Sequence, residues 1–170
     1  MRTGVLHTPH GDILTPAFIP VGTAATVKAL TMDMMKQAGA QAILSNAYHL
    51  YLQPGPDLVE KAGGLGKFMN WSGPTFTDSG GFQVLSLGSG FKKVISLVSD
   101  EATVAAKSTR HAFVDEDGVN FKSHRDGSLH RFTPEFSMNI QHKLGADICF
   151  AFDELTSLAD PRKYQEEALE

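Results

Sequence analysis

Cysteine is nearly absent from this chain, with Cys149 the only one in 170 residues. A lone thiol in an apolar run excludes an internal disulfide and any multi-cysteine metal site within the chain. It reads as a buried apolar residue in a reduced, cytoplasmic setting. Charge of one sign is equally scarce. Fifteen Lys and Arg against 19 Asp and Glu leave a net charge of -4 and a pI near 5.9, so nothing draws the whole molecule toward a polyanion. Any nucleic-acid contact must come from a local basic patch. From the polar Met1-Arg2-Thr3-Gly4 onward, no stretch has the apolar length of a signal peptide or a membrane span, which points to a soluble protein with no membrane partner. Repeats and low-complexity segments are missing too. The seven histidines show no two-histidine helical spacing with a partner carboxylate, so no metal is assigned. Gly88-Ser89-Gly90 lacks the Lys-Ser/Thr partner of a phosphate loop and reads as a hinge.

What is present is a 42% hydrophobic chain long enough for one sizeable core, and residues 1–170 are expected to form a single domain. Residues 4–14 read as a hairpin around Pro9-His10-Gly11-Asp12, and residues 16–21 as a following strand. Thr31 is an N-cap, Asp33 suits a first turn and Gly39 a stop, so 32–38 should be a short helix. A strand over 41–45 follows. Pro56-Asp57 opens a helix that stops at Gly63-Gly64, and Trp71 and Pro74 lead into a strand ending at Asp78. Residues 91–132 break the rhythm as an insertion, with a β-meander around the Asp117-Gly118 and Asp126-Gly127 turns. Thr133-Pro134-Glu135 begins a helix with Phe136, Ile140 and Leu144 on one face, and Gly145 ends it. The apolar run 148–152 suits a parallel strand covered on both sides. A last helix opens at Asp160-Pro161 and runs to Glu170 without a stop signal. The fold class is α/β. Alternating βα units admit a doubly wound sheet or a TIM barrel, and the reading adopted is a partial (β/α)8 barrel of about the first four βα units.

Asn46, Asp78 and Asp153 each follow the C-terminal end of a different expected strand, the end at which parallel α/β proteins place their chemistry. Any one acidic residue among them taken alone reads better as a cap or an Asx turn, and it is the three in register that shift the reading toward a site. The segment Asp78-Ser79-Gly80-Gly81-Phe82-Gln83 adds a hydroxyl, two glycines that let backbone crowd a planar ligand, and a ring that either stacks on a base or belongs to the core. Lys92-Lys93, Lys107, Arg110-His111 and the stretch from Lys122 to Arg131 give the insertion a basic character that either grips phosphates or is only solvated.

Asp78-Ser79-Gly80-Gly81-Phe82-Gln83-Val84, with Ser45-Asn46-Ala47-Tyr48-His49-Leu50 before it and Ala151-Phe152-Asp153-Glu154 after it, resembles the tRNA-guanine transglycosylases. Thr8-Pro9-His10-Gly11, the stretch from Thr15 to Thr23, Phe121-Lys122-Ser123-His124 and Thr133-Pro134-Glu135 extend the match to nearly the whole chain, with residues 91–117 unlike the usual pattern. The resemblance implies a TIM barrel that exchanges guanine for a 7-deazaguanine, preQ1 or queuine, at the tRNA wobble position during queuosine formation. By resemblance, Asp78 is the general acid/base for the departing and entering base, and Ser79, Gly80, Gly81 and Phe82 shape its pocket. Asp153 binds the purine-like edge, Asn46 holds Asp78 when no substrate is bound, and Gln83 supports the loop. Leu155 stands where many bacterial relatives have a cysteine. The family's nucleophilic aspartate and its zinc site have no counterpart here, so the chain is expected to be an inactive fragment of a longer enzyme, with zinc in the remaining part. Its expected partners are the tRNA anticodon loop, guanine or a 7-deazaguanine, and further copies of itself. A non-catalytic tRNA-binding subunit of the same family and an unrelated TIM-barrel lyase or isomerase are the competing readings.

Overall fold

The computed structural model describes residues 2–88, 112–153, 156 and 161–168. In chain order its elements are β1 (Gly4–Thr8), β2 (Gly11–Thr15), α1 (Met32–Gln37), β3 (Ile43–Ser45), α2 (Ala47–Leu52), α3 (Pro56–Lys61), α4 (Leu65–Met69), β4 (Thr75–Thr77), α5 (Gly81–Gly88), β5 (Ala112–Asp115), β6 (Gly118–Lys122), β7 (Leu129–Phe132), α6 (Pro134–Leu144), β8 (Ile148–Cys149) and α7 (Arg162–Glu167). They fall into two compact units, one of Met1–Gly80 with Glu135–Phe152, the other of Gly81–Pro134 with Asp153–Glu170.

The first unit is built on a parallel sheet in which β3, β4 and β8 lie side by side in chain order. The expected strand over 16–21 contracts to a single parallel bridge, Val21 to Leu44. Pro16 and Pro20 carry no N–H to give a ladder. What remains is the Pro20 carbonyl accepting from Leu44 N–H at 2.9 Å and Gly22 N–H donating to the Leu44 carbonyl at 2.7 Å. Ahead of it, β1 and β2 form the expected antiparallel hairpin, with Gly4 opposite Thr15 and Thr8 opposite Gly11. The Gln41 side chain holds that hairpin from outside, its oxygen accepting from Leu14 N–H at 2.8 Å and its amide donating to the Leu14 carbonyl at 3.2 Å.

Local signals account for the helices that the sequence announces. The Thr31 hydroxyl accepts from Met34 N–H and starts α1, with Asp33 in its first turn and Lys36 in its last. Pro56 at the first position starts α3, whose Asp57 meets Lys143 Nζ of α6 at 2.5 Å. That ammonium holds the Asp57 carboxyl below the usual carboxylate range. In α6 the buried residues are Ser137, Ile140, Gln141 and Leu144. Phe136 was expected on the same face as Ile140 and Leu144. It lies instead at the margin, 37% exposed and edge-on to Tyr51, because a helix turns about 100° per residue and the stripe through 137, 140, 141 and 144 is the one that meets the sheet. The apolar core of the unit comprises Ile43, Tyr48, Leu50, Val59, Leu65, Met69 and Trp71 with Ile140 and Leu144.

In the second unit β5, β6 and β7 make the antiparallel meander expected around the two Asp-Gly turns. Among its described residues Val119, Phe121 and Phe132 are buried, the two rings meeting edge to face at 5.2 Å. Arg131 forks onto Asp115 with two bonds of 2.8 Å, and this pairing holds the Asp115 carboxyl down at about 2. The short α7 carries the i,i+4 pairs Arg162–Glu166 and Lys163–Glu167 on an exposed surface. Ser89 and Gly90 of the expected hinge, the basic residues Lys92, Lys93, Lys107, Arg110 and His111, and Leu155 lie outside the described residues. Among the described residues no helix is long and apolar enough to cross a membrane.

Candidate active site

β4 stops at Thr77 because Asp78 spends its side chain across the sheet. Its N–H continues the ladder to the Ser45 carbonyl at 3.4 Å, and its carboxylate turns to the start of α2. There Ala47 N–H donates to Asp78 Oδ1 at 2.8 Å and Asn46 Nδ2 donates to Asp78 Oδ2. Asn46 is the N-cap of α2 by backbone conformation, yet its own side chain makes no capping bond. The first N–H groups of a helix have no acceptor within it and favour a negative charge, so the carboxylate of a neighbouring strand serves as the cap. The result is an acidic group fixed at the C-terminal end of a parallel strand, a place from which it can take up or return a proton.

The rest of the segment divides between the two units. Ser79 and Gly80 belong to the first, Ser79 buried with its carbonyl accepting from Ser137 Oγ at 2.7 Å, and Gly80 at φ +83° where the chain turns. Gly81, Phe82, Gln83 and Asp153 belong to the second. Gly81 begins α5, a helix that the two glycines did not advertise. Phe82 is 55% exposed, so its ring is not part of the core, Gln83 is half-buried and Asp153 is exposed. Asn46 and Asp78 are therefore joined by a direct hydrogen bond, while Phe82 and Asp153 are placed within their own unit.

Sequence reasoning passed over a second carboxylate in the first unit. The Asp147 side chain, 1% exposed, accepts from Thr75 N–H at 2.8 Å and Thr75 Oγ1 at 3.3 Å, and its other oxygen meets His10 Nδ1 at 2.7 Å. It ties the hairpin turn to the first residue of β4, the end opposite Asp78. Its place directly before the apolar run at 148 was the available signal, since a carboxylate at the entry of a buried strand must find hydrogen-bond partners. Among the described residues no group of three or more His, Cys, Asp or Glu is placed to hold a metal ion. With Cys149 the one cysteine, the donors of a cysteine-rich zinc site do not occur in this chain.

The whole of residues 1–170 matches the family model described as queuine tRNA-ribosyltransferase, TGT. The chain belongs to that family. Queuine tRNA-ribosyltransferase is also the description of its relatives in Desulforamulus reducens, 50% identical over 169 residues, and in Herpetosiphon aurantiacus, 51% identical over 169 residues. A third relative with that description, from Granulibacter bethesdensis, is 51% identical over 167 residues. These alignments cover 98–99% of the chain and 38–40% of each relative, so the chain spans about 40% of the length of the curated relatives it matches. Relatives of this description are transferases, and the queuine tRNA-ribosyltransferase pattern is carried here at the level of the whole sequence.

Proposed function

We propose that these residues form the base-handling part of a tRNA-guanine transglycosylase, which in the cytoplasm exchanges guanine for a 7-deazaguanine at the wobble position of tRNA. The observation that carries this reading is the Asp78 carboxylate, fixed between Asn46 Nδ2 and Ala47 N–H at the C-terminal end of β4. In this reading the parallel strands in chain order are the first units of a (β/α)8 barrel, and the strand ends face the anticodon loop. Asp78 protonates the departing base and accepts the proton of the entering one, while Asn46 keeps it oriented between turnovers. Ser79, Gly80 and Gly81 give the base backbone contacts, Gln83 supports their loop, Phe82 stacks on the base plane, and Asp153 accepts hydrogen bonds from its N–H edge. The glycosyl bond breaks and re-forms on a carboxylate nucleophile, a role that none of the residues assigned here takes.

Calorimetry with guanine and a 7-deazaguanine tests the assignment. Binding that falls roughly tenfold or more in Asp153→Ala, the worth of a charged hydrogen bond, is the expected outcome. Equal affinity in the variant would overturn the role of Asp153, and no binding by the folded wild-type chain would overturn the claim that these residues form a base site.

A further inference from the structure

Three buried polar side chains lie under the Asp78 loop, on the face of the sheet that α6 covers. The Thr77 hydroxyl donates to Gln141 Oε1 at 2.9 Å; Gln141 Nε2 donates to the Phe150 carbonyl at 3.0 Å and to Ser137 Oγ at 3.2 Å; Ser137 Oγ donates to the Ser79 carbonyl at 2.7 Å. Thr77, Ser137 and Gln141 are all fully buried. A helix stripe that only needed to fill space would carry apolar residues at these positions, because a buried amide is tolerable only when its hydrogen bonds are made. Here both amide hydrogens and the amide oxygen of Gln141 are used. The partners are not scattered: Thr77 immediately precedes Asp78, Ser79 immediately follows it, and Phe150 lies just beyond the neighbouring strand β8.

We propose that Ser137 and Gln141 are positioning residues for Asp78, anchoring the Thr77 hydroxyl before it and the Ser79 carbonyl after it so that its carboxylate stays at the start of α2. Asn46 and Ala47 hold the carboxylate itself; the α6 cluster holds the Thr77 side chain before it and the Ser79 carbonyl after it. Only the last arm of the test below rests on the functional reading given above.

The Ala47 amide reports the carboxylate directly. It is the first N–H of α2, with no acceptor inside the helix, and Asp78 Oδ1 takes it. Hydrogen exchange followed residue by residue in Ser137→Ala and Thr77→Val should show Ala47 exchanging about fivefold faster, the factor that one net hydrogen bond is worth. The amides of Ile43 and Ala62, bonded to Pro74 and Leu58 carbonyls, should keep their rates. Ser137→Thr, which retains the hydroxyl, should restore Ala47. Unchanged exchange at Ala47 in both variants, or acceleration of all three amides together, would overturn the proposal. Guanine affinity measured on the same samples should fall with Ala47 protection. Should the wild-type chain bind no guanine, the functional reading fails on its own while the exchange data still decide the positioning role.

Discussion

Asp78 follows the three-residue strand β4, and Asp147, just before β8, bonds to the first residue of β4; their neighbours give them different work. Asp147 is spent on Thr75 and on His10, closing the start of β4 against the hairpin; Asp78 is held at the exit, where the following chain turns at Gly80. A single backbone position in the second unit shows how strict such turns can be. Gly118 has φ +155°, and a Cβ built there would lie 2.1 Å from the Phe132 carbonyl oxygen. That oxygen belongs to the backbone of β7 and cannot swing aside, so Gly118→Ala must part β6 from β7 or distort the turn. A loss of about 1–3 kcal/mol is expected. Denaturant unfolding checks it, and an unchanged midpoint would contradict the close approach. The sequence made residues such as Gly118 and Asp78 legible, because a turn pair and a strand end have local signatures. Ser137 and Gln141 were not legible in the same way. Their signal was two polar residues in an otherwise apolar helical stripe, and a stripe read through Phe136 conceals it.

Elements followed the same division between local and distant causes. α1 and α3 begin at Thr31 and Pro56, signals contained in their own sequence, and both were foreseen. α2 was not, because its cap is the carboxylate of Asp78 on another strand; nor was α4, which Gly64 opens and Asn70 closes in the left-handed conformation. The strand expected over 16–21 shrinks to a single bridge because two of its six residues are prolines. The meander was read correctly from its turns, and its ion pair gives it a definite acid response. Asp115 is held near 2 against an ordinary 3.8 by the hydrogen-bonded Arg131 guanidinium, and Asp126 is also held near 2, chiefly by the Ser128 hydroxyl. A carboxyl depressed in the folded state contributes its stability fully above its unfolded value and loses it as pH falls through its folded value. The thermal midpoint of the chain should therefore be level above about pH 4 and fall between about 4 and 2. Arg131→Met should shrink that fall, and added salt should weaken it since the pair is exposed. A midpoint independent of pH across that window would remove the ion pair from the account.

At the scale of the whole molecule, the two faces of the parallel sheet in the first unit differ in character. Ile43, Ser45, Thr75 and Thr77 are buried on the side that α6 packs, although three of the four are polar. The opposite side carries one apolar residue per strand in register, Val21 beside Leu44, Leu44 beside Phe76 and Phe76 beside Ile148, with Phe150 stacked on Phe76. Val21 is 52% exposed and Phe150 50% exposed. Among the described residues, β8 pairs with β4 alone. Exposed apolar side chains on one face of a sheet are what a second copy of that sheet can cover. Self-association of the 18.4 kDa chain follows as the expected state at micromolar concentration. Sedimentation velocity should resolve species heavier than the monomer. Phe76→Lys, which puts a charge in the middle of the row while leaving the α6 side untouched, should return them to monomer. A compact monomer that binds no apolar-surface dye would show that the row is covered within the chain itself, and the self-association would then be wrong.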